Sequence, residues 1–229
     1  RSYLPTQRRQ WTSLLAGLAG IFFVAVAGNL DGAIQIVEGL WRIMFQDLHF
    51  WYPRGEFDFW RSSRMMSPGN EITEFPFFTF LFADLHAHMV AMPFTLLALG
   101  LALTLLISRQ GWNYGQVFRL SALGFVVGAL RLINTWDYPT YMILSVLTVY
   151  LAEYFRYGGA GLVVLVNSAA KSVLVFGVGY VVFLPYHDSY EMFFAGIAPT
   201  TGQTALWQFI AITGLFVFII GTFYVRHSV

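Results

Sequence analysis

Long apolar segments recur along this chain, and they constrain its fold more than any other feature. A helix of about 20 mostly apolar residues crosses the hydrocarbon core of a bilayer. Six segments approach that length, near residues 11–28, 86–107, 117–134, 138–155, 161–184 and 205–225. The sequence therefore predicts an all-α integral membrane protein with about six transmembrane helices. We treat residues 1–229 as a single transmembrane domain.

The composition supports a membrane protein. Apolar residues make up 57% of the 229 residues and charged residues only 11%, whereas a soluble domain carries about 25% charged residues. The chain has no cysteine, which excludes disulfides, thiolate metal sites and thiol nucleophiles. The net charge is +1 and no basic patch is present, so we expect membrane lipids and no nucleic acid as partners.

The amino-terminal stretch "RSYLPTQRRQ" is polar and leads directly into the first apolar segment. A basic start followed by an apolar run and "FVAVAG" is also compatible with a secretory signal. The apolar run is long for a signal, which favours a membrane span. We expect the chain to be a piece of a longer polytopic protein.

The distribution of charge predicts the orientation. Positively charged residues favour the cytoplasmic side, and the arginines of the short connections fit a chain whose two ends are cytoplasmic, in the plasma membrane. Of the twelve acidic residues, only Glu153 then lies on the cytoplasmic side. Acidic residues contribute little to topology, so their bias indicates a polar site at the outer face. Residues 29–85 form the outer segment between the first two spans, and its start "GAIQIVEGLWRIMF" has apolar residues at helical spacing.

Two polar clusters lie in this outer segment. Asp31, in "GNLDG", follows the first span and is either a turn residue or a general base at the membrane surface. Arg61 and Arg64 are three residues apart, a spacing that would let one helix face bind a phosphate. Glu71 and Glu74 have the same spacing and would present two carboxylates together. The alternative is a solvated loop with incidental ion pairs, against which its aromatic residues argue.

The stretch "ITEFPFFTFLFADLHAHMVAMPF" places Asp84, His86 and His88 at the start of the second span. Ionisable residues are costly in hydrocarbon and usually face a cavity or the interior of a bundle. These three side chains are candidates for binding a divalent ion or for proton transfer. The alternative is that they only hydrogen-bond to neighbouring helices. The D-x-H-x-H pattern is not a specific metal signature.

Two further positions carry charge at or within the membrane. "RLINTWDYPTY" is a tight connection in which Arg131 either pairs with Asp137 or contacts a phosphate, and Pro139 opens the next helix. Lys171 lies near the middle of the fifth span, so we expect it to have a partner inside the bundle or a lipid headgroup.

Several of these motifs carry a resemblance. "NEITEFPFFTFLFADLHAHMVAMPFTLLALGL", "NTWDYPTY" and "FLPY" resemble the YYY-type multi-pass membrane protein family (Chlor_Arch_YYY), from about Asn29 onward. That family is largely uncharacterised and is grouped with integral-membrane glycosyltransferases of the C-type fold. Members tend to have more spans than the six predicted here.

The resemblance implies an enzyme that takes a sugar from a polyprenyl-phosphate carrier at the outer face, by inverting displacement at the anomeric carbon. Asp31 matches the acidic residue of the first outer loop and would act as the base. Arg61, Arg64 or Arg131 would hold the phosphate. Asp84, with His86 and His88, would bind a divalent ion, Mg²⁺ or Mn²⁺, or orient the sugar. The first outer loop lacks a compact D-x-D motif.

Other functions remain open at this point. A non-catalytic structural subunit of a larger membrane complex would also explain the aromatic richness, with its outer acids and arginines paired at contacts with other subunits. A transporter or channel is less favoured, because the polar groups gather at one surface and Lys171 stands alone near the midplane.

Overall fold

The structure, a computed structural model, describes residues 6–65, 72–83, 85–190 and 202–228, and all regular elements in these ranges are helices. The chain divides into two compact units, Arg1–Asp84 with Ile197–Val229 and Leu85–Gly196. The first unit contains α1 (Thr6–Phe22), α2 (Asp31–Phe45), α3 (Phe59–Ser63), α4 (Pro76–Phe82) and α10 (Leu206–Ser228). The second contains α5 (Ala87–Ser108), α6 (Tyr114–Ile133), α7 (Asp137–Tyr157), α8 (Leu162–Val181) and α9 (Leu184–Ser189).

Five helical segments of the described chain are long and apolar enough to cross a membrane. They are Gln10–Ala27, Ala87–Ser108, Tyr114–Ile133, Leu162–Val181 and Leu206–His227. Each overlaps one of the apolar segments that the sequence predicts as a span. The prediction of an all-helical membrane protein is confirmed for the described residues.

The remaining predicted span, residues 138–155, forms helix α7, which is 21 residues long but is not among these five. Its five tyrosines, together with Asp137, Glu153 and Arg156, make it less apolar than its neighbours. Pro139 lies in its first turn, as predicted, where a missing N–H costs nothing.

In the first unit, α1 continues into a π-helical turn, Phe23–Ala27, which ends at Gly28. Gly28 has a φ of +48°, a backbone conformation that residues with a side chain rarely adopt. The start of α2 is fixed to α10 because the Leu30 N–H donates to the carbonyl oxygen of Ala211 at 2.6 Å. These contacts place α2 directly after the first candidate span.

Helix α2 is amphipathic, as the spacing of its apolar residues predicts. Its apolar side is exposed and includes Val37, Trp41 and Met44, whereas Asp31, Gln35 and Gly39 are buried. An amphipathic helix with an exposed apolar side fits a position in the membrane interface. The buried polar side of α2 faces α3 and the segment before it.

The second unit is a bundle of α5, α6, α7 and α8. Its buried core contains Leu105, Leu120, Leu123 and Val127 among other small and branched apolar side chains. Helices α6 and α8 approach closely at Gly128, where an added Cβ would lie 2.5 Å from the carbonyl oxygen of Gly179. Small residues at such a crossing let membrane helices pack backbone against backbone.

Candidate functional site

The candidate site of the first unit is centred on Asp31, the first residue of α2. The side chain of Asp31 has no exposed surface. Its Oδ2 accepts hydrogen bonds from Ser62 Oγ at 2.7 Å and Gln35 Nε2 at 2.8 Å. Arg61 Nε lies 2.9 Å from Oδ1. A buried carboxylate is tolerated only when it is paired and hydrogen-bonded, and these three partners meet that requirement.

Arg61 links Asp31 to a second carboxylate, Glu38. Arg61 Nη1 and Nη2 donate to Glu38 Oε2 and Oε1 at 2.8 and 3.0 Å, a bidentate pair. Arg42 Nη2 donates to the same Glu38 Oε2 at 3.1 Å. The side chains of Arg61 and Glu38 are 34% and 37% exposed, so the ion-pair chain runs from a buried end at Asp31 to an accessible end at Glu38.

Backbone contacts hold α3 in place beside α2. Asp58 caps α3, because its Oδ1 accepts from the Arg61 N–H at 3.0 Å. Gln35 clamps the same residue from α2: its Nε2 donates to the Asp58 carbonyl at 2.8 Å, and its Oε1 accepts from the Asp58 N–H at 2.9 Å. Asn29 Nδ2 donates to the Ser62 carbonyl at 2.8 Å. These bonds position Arg61 between the two carboxylates.

The ion pairs shift the protonation equilibria of their members. The hydrogen bonds from Arg61 are the largest cause that lowers the pKa of the Glu38 carboxyl below its usual value. The pKa of the Arg61 guanidinium is raised, chiefly by its hydrogen bond to Glu38. Both shifts favour the charged forms, so Glu38 and Arg61 remain an ion pair near neutral pH.

A pocket of about 100 Å³ opens at the exposed end of this network. It lies between α2, the segment 51–58 and Arg61, and Glu38 and Arg42 form part of its wall. Just before this segment, Phe50 packs against α2 at Gly39, where an added Cβ would come within 2.5 Å of the Phe50 ring. Gly39 therefore lets the chain that leads into this segment lie close to the helix.

Arg64 does not share a helix face with Arg61, because α3 ends at Ser63. Instead, Arg64 contacts Glu74 Oε1 at 3.3 Å and lies over the Trp60 ring. The two guanidinium groups therefore have different carboxylate partners and do not converge on one position. The predicted partner of Glu74, Glu71, lies outside the described residues.

The predicted triad at the start of the second span is only partly described. Asp84 lies outside the described residues. His86 precedes α5 in an extended conformation and His88 lies in its first turn, with ring centroids 5.6 Å apart. Among the residues the structure describes, no three His, Asp or Glu side chains are placed to hold a metal ion. The Mg²⁺ or Mn²⁺ site stays a prediction.

The connection between α6 and α7 does not pair Arg131 with Asp137. Asp137 Oδ2 accepts from Asn134 Nδ2 at 3.0 Å, and the Arg131 guanidinium lies over the ring of Tyr138 at 5.8 Å. Asn134 therefore stabilises the turn into α7, and Arg131 makes a cation–π contact.

Lys171 has a partner inside the bundle, as its depth predicts. Its Nζ donates to Glu153 Oε1 and, at 2.9 Å, to the carbonyl oxygen of Gln110. The side chains of Lys171 and Glu153 are each 1% exposed. Arg156 Nη1 contacts the other Glu153 oxygen at 3.2 Å. This second charged cluster joins α7, α8 and the connection after α5.

The main residues that sequence reasoning missed are Gln35, Glu38, Arg42 and Ser62. Three of them follow Asp31 at intervals of four, seven and eleven residues, which is a single stripe along a helix. This polar stripe could be recognised from the sequence, because it lies opposite the apolar residues that predict the helix. Ser62 had no comparable signal.

The comparisons with known proteins agree with the helical membrane architecture. A family model described as "Uncharacterized membrane protein (DUF2298)" matches residues 2–229. No curated protein matches the chain, and no solved structure matches it either.

Proposed function

We propose a function for this chain as a member of the uncharacterized membrane protein family DUF2298, to which it belongs because the family model covers residues 2–229. It acts as a membrane glycosyltransferase of C-type architecture, using a sugar linked to polyprenyl phosphate at the outer face. One observation carries this proposal: a network of ion pairs directly follows the first candidate span and ends at an open polar pocket.

The proposed topology has six spans, with both ends of this chain cytoplasmic in the plasma membrane. Helix α7 is the span that is added to the five candidates; in chain order it is the fourth. It packs against α5, α6 and α8, which are all candidate spans of the same unit. Its length of 21 residues is sufficient to cross a bilayer. Its buried Glu153 is neutralised by Lys171, which reduces the cost of a charge at that depth.

An apolar groove between α2 and α10 supports a lipid-linked substrate. The groove has a volume of about 490 Å³ and is lined by residues such as Ile34, Val37, Trp207 and Ile210. Glu38 borders both this groove and the polar pocket. A molecule with an apolar tail and a polar head fits such a pair of neighbouring surfaces, because each part meets a surface of matching polarity.

In the proposed reaction, the acceptor hydroxyl attacks the anomeric carbon of the donor sugar. The bond between that carbon and the phosphate oxygen breaks, the phosphate leaves on its lipid, and Asp31 takes the proton of the hydroxyl. In the described state Arg61 pairs with Asp31. We infer that Arg61 exchanges this carboxylate for the donor phosphate, which releases Asp31 only when the donor is bound.

The other predicted residues keep secondary roles in this proposal. Arg64 is a further phosphate contact, and Glu71 and Glu74 bind other polar groups of the substrates. Arg131 and Asp137 belong to the second unit and stay predicted binding residues. Asp84, His86 and His88 stay candidates for contacts to a sugar or for holding a divalent ion, which would supply charge stabilisation. No step of the reaction is assigned to that ion, because the described donors alone do not form a set of three.

A second candidate function is a non-catalytic subunit of a larger membrane complex. Two observations favour it. Asp31 is fully buried, and its Oδ2 accepts two hydrogen bonds, as that of a structural carboxylate would. The candidate spans of the first unit are also poorly covered, since none of Gln10–Ala27 and only 6% of Leu206–His227 is buried. Partner subunits would cover such surfaces, although lipid would do so too.

The test uses the full chain in lipid nanodiscs with a radiolabelled polyprenyl-phosphate hexose and membranes as the source of acceptor. Release of free polyprenyl phosphate is measured for the wild type, for Asp31→Asn and for Asp47→Asn. Asp47 is an exposed acid of the same unit that makes no ion pair with another described residue. We expect turnover that Asp31→Asn abolishes and Asp47→Asn preserves, with both variants folded.

Mass spectrometry of the gently purified protein separates the two candidates. Co-purified polyprenyl phosphate or its glycoside supports the transferase. Stoichiometric partner subunits, with no such lipid and no turnover of the donor, would replace it with the structural subunit.

A further inference from the structure

The polar pocket beside α2 is lined by equal numbers of positive and negative side chains, unlike a typical site for an anion. Its walls contain three guanidinium groups, from Arg42, Arg54 and Arg61, and three carboxylates, from Glu38, Glu56 and Asp58. Their formal charges cancel. A phosphate entering this pocket would meet as many negative charges as positive ones, so the pocket does not attract an anion over a neutral molecule.

The same groups suit a ligand that both donates and accepts hydrogen bonds. Carboxylates only accept and guanidinium groups only donate, so hydroxyl groups can bond to both. Several of these side chains are held by each other: Arg42 and Arg61 fix Glu38, and Arg54 Nη1 lies 2.9 Å from Asp58 Oδ1. Glu56 makes no hydrogen bond or ion pair with another described residue, so its carboxylate is available.

Two aromatic residues complete the pocket wall, Trp51 and Tyr52. The Trp51 ring is held edge-on by Phe50 and Phe57, with centroids 4.4 and 5.7 Å away. Tyr52 is 52% exposed, and its hydroxyl bonds to no other residue in the described ranges. An aromatic surface beside mixed polar groups offers an apolar contact for the C–H face of a sugar ring.

The size of the pocket limits the ligand. A water molecule occupies about 30 Å³ of liquid, so about 100 Å³ corresponds to roughly three water molecules. That is enough for one side of a single sugar ring and is too small for an oligosaccharide. Drug-sized ligands occupy larger pockets of about 300 Å³ or more.

We propose that this pocket binds one neutral monosaccharide ring, with Trp51 and Tyr52 as its apolar platform and Glu38, Glu56 and Arg54 as hydrogen-bonding partners of its hydroxyl groups. The inference rests on the proposed function and deepens it, because it assigns the sugar, and not the phosphate, to this pocket. The phosphate then lies beyond the sugar, where Arg61 separates the pocket from Asp31.

The test is a binding experiment without transfer, on the full chain in nanodiscs. Methyl glycosides of common hexoses are the neutral probes, inorganic phosphate is the competitor, and saturation-transfer NMR reports binding. We expect saturable binding of at least one methyl glycoside that inorganic phosphate does not displace. Tyr52→Ala and Glu56→Gln should each weaken it by about tenfold, the effect of losing one hydrogen bond to a charged group or one packing contact.

Two matched controls accompany these variants. Tyr114→Ala removes an exposed tyrosine of the second unit, and Asp47→Asn removes an exposed charge of the first; neither should change binding. The inference is overturned if no methyl glycoside binds, if phosphate displaces the glycoside, or if the pocket variants bind as the wild type does. Sugar binding without turnover of the donor would support the assignment of the sugar to this pocket and reject the transferase function. Turnover of the donor with no effect of either pocket variant on glycoside binding would support the transferase function and reject the assignment of the sugar to this pocket.

Discussion

The ion-pair network of the first unit and the closed Lys171–Glu153 pair of the second both keep carboxylates away from water, but they reach the surface in different ways. Exposure along the network rises from 0% at Asp31 to 34% at Arg61 and 37% at Glu38. Lys171 and Glu153 are each 1% exposed, and Arg156, at 31%, is the exposed member of their cluster.

The two clusters have similar chemistry, but their different exposure suits them to different roles. A closed pair whose donors and acceptors are satisfied within the bundle contributes to packing and to helix register. A network that ends in an exposed guanidinium and an exposed carboxylate in the wall of a pocket holds a charge in a fixed place and also presents groups to a ligand. For this reason the candidate site belongs to the first unit.

Breaking the closed pair should have the largest effect. Glu153→Leu alone leaves Lys171 as an uncompensated buried charge and should lower the free energy of unfolding by about 3–5 kcal/mol. Lys171→Met should cost less, because Glu153 keeps Arg156 as a partner at 3.2 Å. The double variant removes both charges and should recover most of that loss. Denaturant unfolding in detergent measures all three. A double variant as unstable as the single ones would show that the pair is needed for more than mutual neutralisation.

Uncoupling Asp31 from Arg61 should have a smaller effect, because Arg61 is partly exposed. Each of Asp31→Asn and Arg61→Gln should cost about 2 kcal/mol, and the double variant should reveal a coupling of about 1–2 kcal/mol. The same cycle with Asp47→Asn and Arg61→Gln is the control and should be additive. Additivity in the first cycle would contradict the ion pair.

The glycine crossing tests whether the bundle packs as closely as described. Gly128→Ala should lower the free energy of unfolding by about 1–3 kcal/mol, since the new methyl group meets the backbone of α8 at 2.5 Å. Gly177→Ala, also within the bundle, has nothing within 4 Å of the added Cβ. That control should be neutral or slightly stabilising. Equal effects at the two glycines would argue against the close approach.

The smallest expected effect is a change in the pH dependence of stability, and it concerns Glu38 at the exposed end of the network. The pKa of Glu38 is lowered in the folded protein, so its contribution to stability is complete above the unfolded value of about 4.5 and is lost as pH falls through the folded pKa. Unfolding midpoints across this acidic range should fall less steeply for Glu38→Gln than for the wild type. Identical slopes would mean that Arg61 does not stabilise the Glu38 carboxylate.

Much of the helical organisation was predictable from local sequence. Five of the six predicted spans correspond to candidate spans of the described chain, because each is long enough to be recognised by length and composition alone. Helix α2 was predicted from the spacing of its apolar residues, and Lys171 was expected to have a buried partner because of its depth. These properties depend on residues close together in the chain.

The candidate site was only partly predictable for the opposite reason. Asp31 stood out because of its place after the first span, but its partners Arg61 and Ser62 lie 30 and 31 residues further along the chain. The predicted helix face shared by Arg61 and Arg64 does not exist, because α3 ends between them. Likewise, Asp137 pairs with Asn134 and not with Arg131, since the turn brings the nearer amide to it.

The sequence by itself determined that this protein is helical, that it belongs in a membrane, and that an amphipathic helix follows its first span, because periodicity and hydrophobic length act over a few turns of chain. Only the tertiary structure decided which charges pair, and therefore which pair is buried on both sides and which network opens to a pocket. Those pairings join residues on different helices, such as Glu153 with Lys171, and their energies depend on burial that no local pattern encodes.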